Sequence, residues 1–164
     1  MPELERLRRD HGPTVLAFEL ENRAYFAASI SDRGDEYFAR FDENFDRVLA
    51  EQEAGTCAFY VLVDDDGAVL GRFNLYDIEG VGASVGYRVG QLTAGRGVAT
   101  ATVHALCKEA ARLGLRTLAA ATSHQNVASR RVLLKAGFLP DGPADPSELG
   151  GRQGSRVRRD LTGD

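Results

Sequence analysis

The chain has 164 residues, is 43% hydrophobic and 27% charged, and carries a formal net charge of -4. That length suits one domain with a buried core, and the acidic balance excludes the broad basic surface of a stable nucleic-acid binder. No stretch approaches the roughly 18 apolar residues of a membrane span, and residues 1–10 hold no apolar signal core, so the expected compartment is the cytoplasm with no membrane partner. A short strand is expected over residues 4–8. Pro13 then suits the first turn of a helix with Leu16, Leu20, Ala24 and Ala27 on one face. A second helix starts near Asp35 and sets Phe38, Phe41, Phe45 and Val48 along a buried stripe. Residues 57–63 and 69–76 read as strands joined through Asp64-Asp65-Asp66-Gly67, a composition suited to a hairpin. In the strand at 83–89, Val85, Tyr87 and Val89 share one face and Ser84, Gly86 and Arg88 the other. A glycine turn leads into a helix over 97–113, where Ala99, Val103, Leu106, Ala110 and Leu113 line one side and Gly114 ends it. A strand at 116–122, a short helix from Asn126 stopped by Gly137, another strand from Phe138, a loop at 140–154 and a final strand at 155–161 complete the chain. The reading is about seven strands and four helices in an α/β (or α+β) fold, with helices on both faces of a mixed sheet. Strand, helix, strand across residues 83–122 implies one parallel pair joined by a right-handed crossover.

The segment Ala94-Gly95-Arg96-Gly97-Val98-Ala99-Thr100 has the most chemistry in it. The first N–H groups of a helix lack internal partners and sit at the positive end of its dipole, so they suit an anion. Glycines at 95 and 97 let that anion approach the main chain. A P-loop is excluded, because the two lysines, Lys108 and Lys135, are not placed for it. A dinucleotide fold would need a small residue where Thr100 stands and a carboxylate at the end of the next strand; Leu118, Ala119, Ala120 and Ala121 supply none. Cys57 and Cys107 lack the spacing of a paired motif and read as reduced structural thiols; His104 beside Cys107 makes two ligands and no metal site.

Gly86-Tyr87-Arg88-Val89, the glycine turn, and Asn126-x-x-Ser129-Arg130-x-x-Leu133-x-Lys135-x-Gly137-Phe138 together resemble the GNAT superfamily of acyl-CoA-dependent N-acyltransferases, over residues 4–161. The Asn-x-x-Ser form with Leu133, and Glu21-Asn22-Arg23, look most like its RimJ/RimL-type branch. The resemblance implies a mostly antiparallel seven-stranded sheet whose one parallel pair is splayed, with acetyl-CoA as cofactor. Tyr87, Arg88 and Val89 would lie beside it on the strand, an N–H of Val89 or its neighbour would meet the thioester oxygen, and Ala94, Gly95, Arg96, Gly97, Val98, Ala99 and Thr100 would hold its diphosphate. Asn126 would face its amide-containing arm, and Arg130 or Lys135 its nucleotide phosphate. Two positions depart from the family pattern. Ala94 lacks the long polar side chain usual there, leaving the main chain with Arg96. Leu133 stands where many relatives have a proton-donating tyrosine, and the branch resemblance turns attention to Ser129, whose alternative role is to satisfy a helix main-chain group.

For the acceptor, Asp77, Glu79 and His124 are the candidate bases, open between the three. Glu21, Asn22 and Tyr25 are the candidate substrate contacts, beside Phe26, Phe38 and Phe41, whose spacing equally fits core packing. The expected reaction is acetyl transfer to a primary amine, of a protein N-terminus or a small molecule, by direct attack in a ternary complex. A homodimer is compatible with the resemblance. The rival from another class is a non-catalytic acyl-CoA-binding sensor, suggested by Ala94 and Leu133; transient docking at a ribosome is disfavoured by the acidic balance.

Overall fold

The computed structural model describes residues 1–161. Its elements in chain order are β1 (Glu3–Arg6), α1 (Gly12–Glu21), α2 (Arg23–Ala27), α3 (Asp35–Ala39), α4 (Phe41–Glu53), β2 (Ala58–Val63), β3 (Val69–Glu79), β4 (Gly82–Val89), α5 (Val98–Arg112), β5 (Thr117–Ser123), α6 (Val127–Lys135), β6 (Leu139–Pro143) and β7 (Gly154–Asp160), with 3-10 turns at Arg9–His11 and Pro146–Leu149. The strands form one seven-stranded sheet in the order β1-β2-β3-β4-β5-β7-β6. Every pairing is antiparallel except β4 with β5.

The period of two along the strands sends alternate side chains to opposite faces, and each face meets its own helices. Tyr60, Leu62, Phe73, Leu75 and Val85 pack with Val103, Leu106 and Leu133 of α5 and α6. Val61 and Val69 pack with Val15, Phe18, Phe26, Phe41 and Phe45 from α1, α2 and α4. The fold class and the helices on both faces are as the sequence indicates.

The helices differ in count, because each of the first two breaks. The first stops at Asn22 (φ -104°, ψ 7°), where the side chain donates to the Phe18 carbonyl at 3.0 Å and accepts from the Gln91 N–H at 2.9 Å. Its buried face is Val15, Phe18 and Glu19, while Leu20 is 52% exposed. No apolar stripe marks that face in the sequence, because one of its members is a carboxylate. The second breaks at Arg40 (φ -113°, ψ 29°), although Phe41 and Phe45 still stack, with centroids 5.6 Å apart. Two further differences touch the site: β3 runs on to Glu79, and the strand expected from Phe138, β6, extends to Pro143 into the segment expected to be a plain loop, which also contains the Pro146–Leu149 turn.

Candidate active site

The parallel pair is short. Gly82, Ala83 and Ser84 pair with Thr117, Leu118 and Ala119, and the register ends there although both strands continue. On its far side β5 stays with β7 along its whole length, from Thr117 to Ser123. Gly154 permits that closeness, since a Cβ there would overlap the Thr122 carbonyl. The outer half of β4 therefore faces a gap. Gly90 donates its N–H to Leu70 at 2.9 Å on the β3 side, so the N–H of Val89, one residue back on an extended strand, is turned to the gap.

Two cavities meet across this gap. One, of about 160 Å³, lies between the turn before α5, α6 and α2, with Val89, Ala94, Gly95, Ala99, Asn126 and Tyr25 on its wall. The other, of about 480 Å³, lies between β4, β5 and the residues around 148–152. Ile30, Tyr87, Arg88, Asn126 and Ser129 belong to both walls.

At that junction the Tyr87 ring stacks on Phe73, centroids 5.4 Å apart and 5° from parallel. Its Oη donates to Ser129 Oγ at 3.3 Å. Asn126 caps α6 by accepting the Ser129 N–H at 3.2 Å, which fixes Ser129 in the first turn. Burial pushes the Tyr87 hydroxyl above its ordinary value of 10, against the smaller effect of Ser129. Leu133, on the same helix, is 1% exposed and belongs to the core.

The mouth of the smaller cavity is the α5 N-terminus. Gly95 and Gly97 adopt left-handed backbone (φ +78° and +76°), and a Cβ at either would meet nothing within 4 Å. The first turn of α5 has no side-chain cap and no acidic residue. These residues fit an anion, and so fit the diphosphate of an acyl-CoA. Gly97→Ala should lower stability by about 1–2 kcal/mol through backbone strain alone, read as a shift in thermal unfolding, because no atom blocks the methyl group.

The other expected site residues scatter. Arg96 is exposed, Val98 packs against the core and Thr100 is half-buried. Arg130 and Lys135 edge a separate shallow depression on the outside of α6, and Arg130 Nη1 is buried without a partner among the described residues. Asp77 sits exposed on a bulge of β3 with φ 49°, Glu79 is exposed at its end, and His124 is exposed with Nε2 3.4 Å from Ser155 Oγ; none of the three lines either cavity. Of the acceptor candidates, Tyr25 lines the smaller cavity, Glu21 is exposed at the end of α1, and Asn22 braces the turn at Gly90 and Gln91.

Three features escape a sequence reading. Glu19, 1% exposed, accepts from Arg33 Nε at 2.8 Å, Arg72 Nη1 at 2.9 Å and Arg88 Nη1 at 3.2 Å. Burial pushes its carboxyl up, but the three guanidiniums outweigh that and hold it below the ordinary value. Arg88, which also lies 4.7 Å over the Phe26 ring, is pushed down to about 10 by burial and then by Arg33. Glu148 and Arg152 line the larger cavity. The signal available is slight: Arg72 is the one charge in residues 69–76 and Arg88 the one charge in β4.

The acetyltransferase (GNAT) domain model matches residues 3–139. The chain belongs to the GNAT acetyltransferase family. Solved structures of this GNAT fold include a ribosomal-protein-S5-alanine acetyltransferase from Vibrio fischeri (17% identity, TM-score 0.88, covering 99% of this chain and 94% of that one). Mycobacterium smegmatis RimJ in complex with CoA-disulfide is similar at 21% identity and TM-score 0.83, over 96% of this chain and 80% of that one. A spermidine N-acetyltransferase from Vibrio cholerae, in complex with CoA and spermine, is similar at 16% identity and TM-score 0.80, over 98% and 96%. No curated protein matches the chain in sequence. Among the described residues no helix is long and apolar enough to cross a membrane.

Proposed function

We propose that the protein is a cytoplasmic, acetyl-CoA-dependent N-acetyltransferase of the RimJ/RimL-like kind, acting on a primary amine by direct attack in a ternary complex. The gap between β4 and β5, edged by unpaired main-chain groups and closed at one end by a bare helix N-terminus, is the observation that carries this reading. Acetyl-CoA supplies a thioester, whose acetyl group passes to the amine as the thiol leaves. Main-chain N–H groups of residues 95–100 hold the diphosphate, and the free edge of β4 takes the extended arm as an added strand. The Val89 N–H is the donor for the developing oxyanion, a contribution of about 2.7–4 kcal/mol in related acyl chemistry.

Protons balance within the site. Nitrogen sheds one as the amide forms and sulfur gains one. Ser129 Oγ already accepts from Tyr87, so its own hydrogen is free to be given at one side and regained at the other. The acceptor must arrive neutral. An α-amine, with its pKa near 7.7–8.0, meets that demand far better than a lysine near 10.4.

Thiol release from acetyl-CoA with a panel of amines tests the reading. Amine-dependent release is expected; CoA binding with no release from any amine would replace it with the sensor reading that Ala94 and Leu133 suggest.

A further inference from the structure

The larger cavity is walled by charge that acetyl transfer itself does not need. Among the described residues three charged side chains line it: Arg88, Arg152 and Glu148. Glu148 is committed, with Oε1 2.7 Å from Arg156 Nη1. Arg88 shares the single carboxylate of Glu19 with Arg33 and Arg72. The nearby Asp32 and Asp35 give no relief, because both bind Arg23, at 2.8 Å each. Arg152 donates to the Ser29 carbonyl and meets no carboxylate among the described residues. On the same wall the Thr122 hydroxyl is buried without a hydrogen-bond partner among the described residues.

Half-buried guanidiniums without a matching anion are costly until an anion arrives, and their planar forks suit a carboxylate. We propose that this cavity selects an amine acceptor that carries a carboxylate close to the amine, with Arg88 and Arg152 holding the carboxylate and Glu148 facing the amine. This inference rests on the N-acetyltransferase reading and names its acceptor class. The carboxylate can be the main-chain one of a free amino acid or an acidic side chain beside a peptide N-terminus. A polyamine, the ligand seen in the Vibrio cholerae neighbour, offers no carboxylate to Arg88 and Arg152 and brings further positive charge to them, and is a poor acceptor.

The test compares kcat/KM, expressed per neutral amine because a free amino acid's ammonium is less acidic than that of its amide, within pairs: alanine against alaninamide, and a Ser-Asp against a Ser-Asn peptide amide, with spermidine as the cationic control. The carboxylate member of at least one pair should lead by about ten- to a hundredfold, the worth of one charge-assisted hydrogen bond, and the pair that shows it identifies the source. Arg152→Gln should shrink that ratio by raising KM for the acidic acceptor. Arg88→Gln makes the same prediction but disturbs the buried cluster, so Arg152, which lies outside that cluster, is the deciding variant. Equal rates in both pairs, or spermidine as the best acceptor, would overturn the inference while leaving the transferase reading intact. Calorimetric titration of CoA-saturated protein with the corresponding N-acetylated products reads the same preference without turnover. Tighter binding of the carboxylate products with no thiol release from any amine would keep the anion subsite and sink the transferase reading; equal binding would sink the subsite.

Discussion

Glu19→Ala is expected to destabilise the protein by about 3–5 kcal/mol, the usual consequence of leaving a buried charge without its partner. Here three guanidiniums lose their shared carboxylate at once. For a chain of this length that corresponds to roughly 6–20 °C in thermal midpoint, a large share of a typical 5–15 kcal/mol stability. Glu19→Gln keeps the shape and should still lose much of the effect, since an amide oxygen offers no charge to Arg72 and Arg88. The pH dependence has a definite sign. The folded carboxyl titrates below its ordinary value of 4.5, so its contribution is complete above that value and disappears as pH falls through the lower, folded one. Wild-type protein should lose more stability than Glu19→Gln across that acid window. A Glu19→Gln variant as stable as wild type, with the same acid profile, would show that the cluster holds nothing together.

What was legible in the sequence follows from distance along the chain. The glycine turn, the α5 stripe and the Asn126–Ser129 cap are local, and they stand where periodicity and capping put them, except that Leu113, expected on the stripe, falls just past α5 and is 47% exposed. The parallel β4–β5 pair was legible too, because a strand, a helix and a strand in close succession allow little else. The Glu19 cluster was not. Its arginines come from positions 33, 72 and 88, as much as 69 residues away, and a carboxylate on a helix face reads as solvated until those partners are known. Asn22 is a substrate contact by the resemblance of Glu21-Asn22-Arg23 to the RimJ/RimL-type branch; its amide ends α1 and braces the turn 69 residues on. Asp77, Glu79 and His124 were chosen by their place near strand ends, but a strand end in sequence does not say which way the strand leans, and these lie outside both cavities. The carboxylate that does line one, Glu148, lies in a glycine- and proline-rich stretch that reads as featureless and is ordered by the Asp145–Glu148 capping box.

Ser129→Ala should lower kcat by about a hundredfold or more, the range of a positioned proton donor, with little change in KM for acetyl-CoA. The main-chain role of Ser129 survives that change, since its N–H, not its hydroxyl, meets Asn126. A fall in kcat without loss of thermal stability therefore separates proton transfer from helix capping. Tyr87→Phe keeps the stack on Phe73 and removes the 3.3 Å hydrogen bond to Ser129 Oγ, so it should cost less, because the serine hydrogen is still there but no longer oriented. The pH profile tells the same story from the other side. Burial holds the Tyr87 hydroxyl above 10, so neither partner in this hydroxyl pair changes charge across the assay range. The rise of kcat/KM with pH then reports the acceptor alone, levelling off near 8 for an α-amine and continuing upward for an acceptor with a lysine-like pKa. A falling limb between pH 8 and 10 that vanishes in Tyr87→Phe would mean that Tyr87 ionises early and gives up its own proton during turnover, and the serine-centred scheme would be wrong.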